Sequence, residues 1–163
     1  MIATRQLTHL GLTRSSVEKR VRAGRLMPHI RGVYLVGPVM PPLGPEAAAL
    51  LACQHAVLSH LSAAALWGIA QRPDVVHITA ATNKRARPGI RTHRSALAPA
   101  DIRTRQGLSL TSPYRTILDL RGHMTAKAHK HVIWEASYRR LITDDQATAL
   151  LGTRPPTSRF AGE

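Results

Sequence analysis

Metal-assisted cleavage of a phosphodiester needs carboxylates converging on a cation and a group that activates water. The nine acids of this chain are Glu18, Glu46, Asp74, Asp101, Asp119, Glu135, Asp144, Asp145 and Glu163, and they are scattered. None falls into the Asp then Glu-x-Lys arrangement of a metal-dependent nuclease. The chain carries no Gly-rich phosphate loop and no nucleophile elbow. Nine histidines invite a metal reading, but His55 and His60 stand five apart. His129 and His131 stand two apart on a predicted helix, which points them to different sides. No cysteine or carboxylate joins them at ligand spacing, so we expect no metal and no cofactor. His60 reads instead as a buried hydrogen-bonding residue near Trp67. Cys53 sits in an apolar stretch and reads as an inert core thiol. Asp119 is the acid expected to pair internally with an arginine. The chain is expected not to be an enzyme.

The cations carry more. Residues 1 to 36 hold seven Lys or Arg against one acid, Glu18. Thr4 can cap a short helix through His9, Gly11 supplies a turn, and Thr13 caps a second helix from Arg14 to about Ala23. Gly24 stands where a C′ glycine would end it. At 100° per residue, Thr13, Val17, Arg20, Val21 and Gly24 share one side, while Ser15, Glu18, Lys19 and Arg22 lie opposite. Arg14 falls at the N-terminal edge. A helix-turn-helix places such a cationic face in the major groove of DNA. Arg14, Ser15, Lys19 and Arg22 are therefore the candidate groove-facing residues. Val33 to Val36 reads as a strand entered by an Arg31–Gly32 turn, and Pro28 puts the strand before it on an edge. A basic hairpin in that place is the wing of a winged helix. Arg5, Arg25, His29 and Arg31 are candidate backbone contacts. A second basic stretch, 83 to 94, has five cations and no acid. From it, Lys84, Arg85 and Arg87 are candidate phosphate contacts.

Composition agrees with a polyanionic partner, with a formal charge of +14 and a sequence pI near 11.6. Double-stranded DNA fits better than a membrane, because no basic amphipathic anchor helix gathers the charges. The richest apolar run, 47 to 69, is broken by Gln54, His55, His60 and serines, so no span is expected. Lone Cys53 and an N-terminus without an apolar core suit the cytoplasm.

Fold class is expected to be α+β, with an N-terminal winged helix-turn-helix and then a small α+β domain of short strands and flanking helices. We divide the chain into 1–37, a Pro/Gly-rich linker 38–45, an α+β domain 46–152 and a flexible tail 153–163. Expected helices run from Glu46 to about Ala56, from an N-cap at Ser59 or Ser62 to Gly68, from Tyr114 to Leu120 behind a Ser112–Pro113 start, and from Ala126 to Arg140. Thr143 and Gln146 have capping-box spacing for a last helix to Leu151. Strands are expected at Asp74 to Thr79, Ile90 to Arg94 and Leu108 to Leu110. The helix that normally precedes a helix-turn-helix has no counterpart in the three residues before Thr4, so either that helix is missing or the start codon was placed late.

Several blocks together resemble AbiEi-type antitoxins: Gly11-Leu12-Thr13-Arg14, Gly24-Arg25-Leu26, Arg31-Gly32-Val33-Tyr34, the run from Ser59 to Gly68, Val76-His77-Ile78-Thr79, and Thr111 to Leu120. That resemblance implies a winged-helix transcriptional regulator of a type IV toxin–antitoxin system. Such a protein represses its own operon from an operator that can hold inverted repeats. It also implies functional pairing with a nucleotidyltransferase toxin without a stable complex. In many similar proteins a Vsr-like endonuclease domain follows the segment matching Asp144 to Leu151, and here the sequence stops. The alternative reading is therefore a DNA-recognition remnant of a Vsr-like endonuclease-type protein that lacks its catalytic domain.

Overall fold

The computed structural model describes residues 1–82 and 87–152, and these form a mixed α+β structure with two sheets. The first sheet is built at the N-terminus. Strand β1 (Ile2–Ala3) leads into helices α1 (Thr4–His9) and α2 (Arg14–Arg22), then into the hairpin β2 (Leu26–Ile30) and β3 (Val33–Val36). The sheet order is β1-β3-β2, all antiparallel, so Pro28 lies on an edge strand as its missing N–H requires. β1 was not expected from three residues, because its pairing with Val33 and Tyr34 is long-range.

Both helices close with the same device. At Gly11 (φ +79°) and Gly24 (φ +67°), the glycine amide bonds the carbonyl of Thr8 or Val21, and the next amide bonds that of Leu7 or Arg20. This Schellman pattern needs a left-handed residue, where a Cβ would be strained. Thr13 accepts from the Ser16 amide and caps α2 as expected. Thr4 does not cap α1. Its hydroxyl donates to the Gly32 carbonyl, and Gln6 Oε1 instead accepts from the Ala3 amide at 2.8 Å. Arg20 also departs from expectation, since it is exposed and reaches back to the Ser16 carbonyl. The reason is the narrow stripe of α2: Val17 alone is fully buried, in a small core with Leu7 and Leu26.

Helix α3 (Gly44–Ala52) starts two residues before Glu46 and ends before Cys53, which is buried at its C-terminal cap. It packs on both sheets. Glu46, which is 3 % exposed, is held by a two-pronged ion pair from Arg72. The second sheet has the order β6-β5-β4-β8-β7, formed by β4 (Val57–Leu58), β5 (Val76–Ala80), β6 (Ile90–Arg94), β7 (Ile102–Arg105) and β8 (Leu108–Thr111). β4 and β7 were not anticipated, the first for its brevity and the second for its polar sequence.

β5 is buried at every position, yet it alternates apolar and polar. Val76, Ile78 and Ala80 join the core with Ala49, Leu58 and Leu110. His77 and Thr79 point the other way, toward helix α4 (His60–Trp67). A second core joins α4 to α5 (Pro113–Leu120), α6 (Ala126–Tyr138) and α7 (Asp144–Gly152) through Ala64, Ile117, Leu120, Ile133 and Leu150. Ser112 accepts from the Arg115 amide, and Thr143 and Gln146 exchange both bonds of their capping box. Among the described residues no helix is long and apolar enough to cross a membrane.

Candidate functional site

The α2 surface carries the expected cations in the open. Arg14, Ser15, Lys19 and Arg22 are all exposed, because burial of Val17 turns the opposite face outward. A groove of about 500 Å³ runs between α2 and the β2–β3 hairpin. Val17, Val21 and Tyr34 contribute its apolar lining, and Arg22, His29 and Arg31 contribute basic or polar edges, with Glu18 the acid among them. The fold thus gathers Arg22, His29 and Arg31, which are up to nine residues apart in the chain. Arg14 pairs with Glu18 at 3.0 Å, but at 93 % side-chain exposure the pair is worth under about 1 kcal/mol and opens easily. Arg25 is exposed just beyond the α2 cap.

Two candidates have other duties. Arg5 donates to the Leu51 carbonyl in the last turn of α3, a group that helix geometry leaves without a partner. It therefore clasps α1 to α3 through one guanidinium N–H while its side chain stays exposed. Arg87 donates to the Arg31 carbonyl at 3.0 Å, which ties it to the hairpin turn. Lys84 and Arg85 lie outside the described residues, as does the expected tail at 153–163.

A different group of residues escaped the sequence reading. His60 at the start of α4, His77 on β5 and His93 on β6 converge, with one ring nitrogen of each within 4.8 Å of the others. β5 and β6 are parallel with Thr79 opposite His93, which sets His77 and His93 on the same face two positions apart. Their Nδ1 and Nε2 atoms lie 3.1 Å apart. The His60 ring stacks on His93 at 3.5 Å between centroids, and His123 stands edge-on at 4.7 Å from His60. His60 is buried as expected, with Nδ1 3.0 Å from Ser59 Oγ, so Ser59 occupies the cap position without capping. The expectation of no metal site considered only histidines close along the chain. These three come from three elements, and no spacing rule could have joined them.

Below this cluster, Arg115 binds Asp119 (2.8 Å), Asp101 (3.1 Å) and Ser95 (2.8 Å), which supplies the arginine expected for Asp119. Asp119 Oδ2 is buried with no hydrogen-bond partner. Burial raises this carboxyl above its ordinary range, against the opposing pull of Arg115.

No protein-family model matches this chain, and no curated protein does. Among solved structures it is similar to the crystal structure of RV2827C protein from Mycobacterium tuberculosis, at 18% sequence identity and a TM-score of 0.51. The likeness covers 95% of this chain and 75% of that one. At that identity it speaks to the mixed α+β fold alone.

Burial drives the His60 imidazole down to about 2, with His93, His123, His77 and Arg115 adding to the effect. His93 is lowered to about 4 by burial and by His77, His123 and Arg91. Both rings are neutral in the fold but take up a proton near 6.5 when the chain unfolds. The unfolded state therefore binds more protons as the pH falls, and stability present above about pH 6.5 is lost below it. Each proton contributes a slope of about 1.4 kcal/mol per pH unit. Asp119 opposes this, in a window nearer its ordinary value of 3.8. Urea unfolding of metal-free protein should show falling stability from pH 7 to pH 5, and His60→Gln should flatten the profile. A level wild-type profile would exclude a neutral buried cluster.

Proposed function

We propose that this chain is a DNA-binding transcriptional regulator whose first 37 residues act as a winged helix-turn-helix. The observation that carries the reading is the exposed cationic face of α2 set beside a hairpin bearing His29 and Arg31. Three features support it together. The helix-turn-helix-hairpin order is what the reading and wing elements of a winged helix require. Val17 docks α2 by one side only, which leaves Ser15, Lys19 and Arg22 exposed. The +14 charge supplies long-range attraction to a polyanion. In this reading α2 lies in the major groove, and Arg31, together with Arg25 and His29, holds the phosphate backbone. Arg87 extends the basic surface from the turn.

The protein acts by binding an operator, including inverted repeats, and by repressing its own operon in the cytoplasm. It carries out no catalysis. The antitoxin role, paired with a nucleotidyltransferase toxin without a stable complex, rests on the sequence blocks described above.

Reading can be separated from gripping by substitution. Lys19→Ala and Arg22→Ala should each lower the preference for operator over random duplex, by about 1–3 kcal/mol where a bidentate base contact is lost. Arg31→Ala should weaken both duplexes about equally. Fluorescence anisotropy on the two DNAs measures this. Equal losses from all three substitutions would mean that α2 does not read bases.

A further inference from the structure

We propose that His60, His77 and His93 form a binding site for a divalent first-row transition metal of the Zn²⁺ type. The site is separate from the DNA surface and does not depend on that reading.

The geometry carries the inference. Zn²⁺ takes imidazole nitrogens at about 2.0–2.1 Å in a tetrahedral array, which sets pairs of ligand nitrogens roughly 3.4 Å apart. His77 Nδ1 and His93 Nε2 are already 3.1 Å apart, where a single shared proton now joins two neutral rings. A metal replaces that proton bridge once the donor ring moves its proton to its other nitrogen, so no net proton release is needed. The third nitrogen lies within 4.8 Å, and the His60 ring must turn out of its stack on His93 for its in-plane lone pair to reach the metal. His60 Nδ1 is engaged by Ser59 Oγ, which leaves Nε2 as the ligand and fixes the ring from behind. Ser59 is itself held by Thr79 Oγ1 at 2.8 Å. Three imidazoles leave one tetrahedral position for water, beside the edge-on ring of His123.

Chemistry and backbone agree with this. Imidazole ligands suit Zn²⁺, Co²⁺, Ni²⁺ and Cu²⁺ in preference to Mg²⁺ or Ca²⁺. Burial keeps the rings neutral near pH 7, the form that binds metal. The nearby positive charge of Arg115 is offset by Asp101 and Asp119. His60 holds φ at +49°, a left-handed conformation that is uncommon outside glycine and gathers at functional sites.

Tag-free, chelator-stripped full-length protein should take up one Zn²⁺ per chain in equilibrium dialysis. His93→Gln and His77→Gln should each weaken that uptake at least tenfold, whereas His131→Ala, outside the cluster, should leave it unchanged. Co²⁺ added to the wild-type protein should give the intense visible band of a tetrahedral nitrogen site, a readout that needs no variant to fold. The site is overturned by any of three results: no saturable uptake, uptake that survives both cluster substitutions or falls with His131→Ala, or a weak octahedral Co²⁺ spectrum.

Discussion

Affinity for duplex DNA should fall about a thousandfold between 50 and 200 mM salt. Each phosphate neutralised by Lys or Arg releases condensed counterions, and log K falls against log salt with a slope of about −0.9 per contact. About six contacts would give a slope near −5. The structure offers Arg14, Lys19, Arg20, Arg22, Arg25 and Arg31 as exposed cations on or beside α2 and the hairpin. Arg5 and Arg20 each have one N–H engaged by a backbone carbonyl, at Leu51 and Ser16, and both remain exposed. Titrations at four salt concentrations measure the slope, and Arg31→Ala should reduce its magnitude by about one. Salt-independent affinity, or no binding at low salt, would remove nucleic acid as the partner.

The second large effect is on stability, at Arg115. Its guanidinium is 18 % exposed and joins Asp119 and Asp101, together with Ser95. Removing it leaves Asp119, at 11 % side-chain exposure, with a buried carboxylate and no cation. Breaking a buried ion pair from one side typically costs about 3–5 kcal/mol, a large share of a domain's net stability. Arg115→Met should therefore lower unfolding free energy by about that much in urea titration. Adding Asp119→Leu should restore much of the loss, since an apolar pair carries no desolvation cost. A single-variant loss under about 1 kcal/mol would show that the network is held in water and not in the core.

These two regions show what a single chain discloses. α2, the hairpin, α5, α6 and the capping box of α7 were legible because their signals are local: Thr13 before a helix, Ser112–Pro113 at a helix start, and β-branched runs bounded by glycine. Local signals misled at Thr4, whose hydroxyl prefers a carbonyl 28 residues away. They also misled at Ser59, whose hydroxyl is taken by Thr79 and His60. β1 and β4 are two residues long, too short to carry a period, and exist only through pairing with distant strands. The histidine cluster was hidden for the same reason. Its members are 16 and 17 residues apart, and only the parallel register of β5 and β6 under α4 brings them together. One trace was visible: His77 alternates with Val76 and Ile78 in a strand too apolar to face water, so a polar side chain there had to meet a partner inside.

Sequence-selective recognition of DNA through α2 is the centre of this account. Fluorescence anisotropy at one fixed salt concentration tests it, comparing a duplex from the chain's own upstream region with a scrambled duplex of equal composition. Specific sites are typically bound about 10³-fold or more tighter than non-specific DNA. A gap of that order is expected for the upstream duplex, shrinking when Lys19 and Arg22 are replaced together by alanine. Equal affinities for the two duplexes, with the wild-type protein folded and binding both, would contradict it.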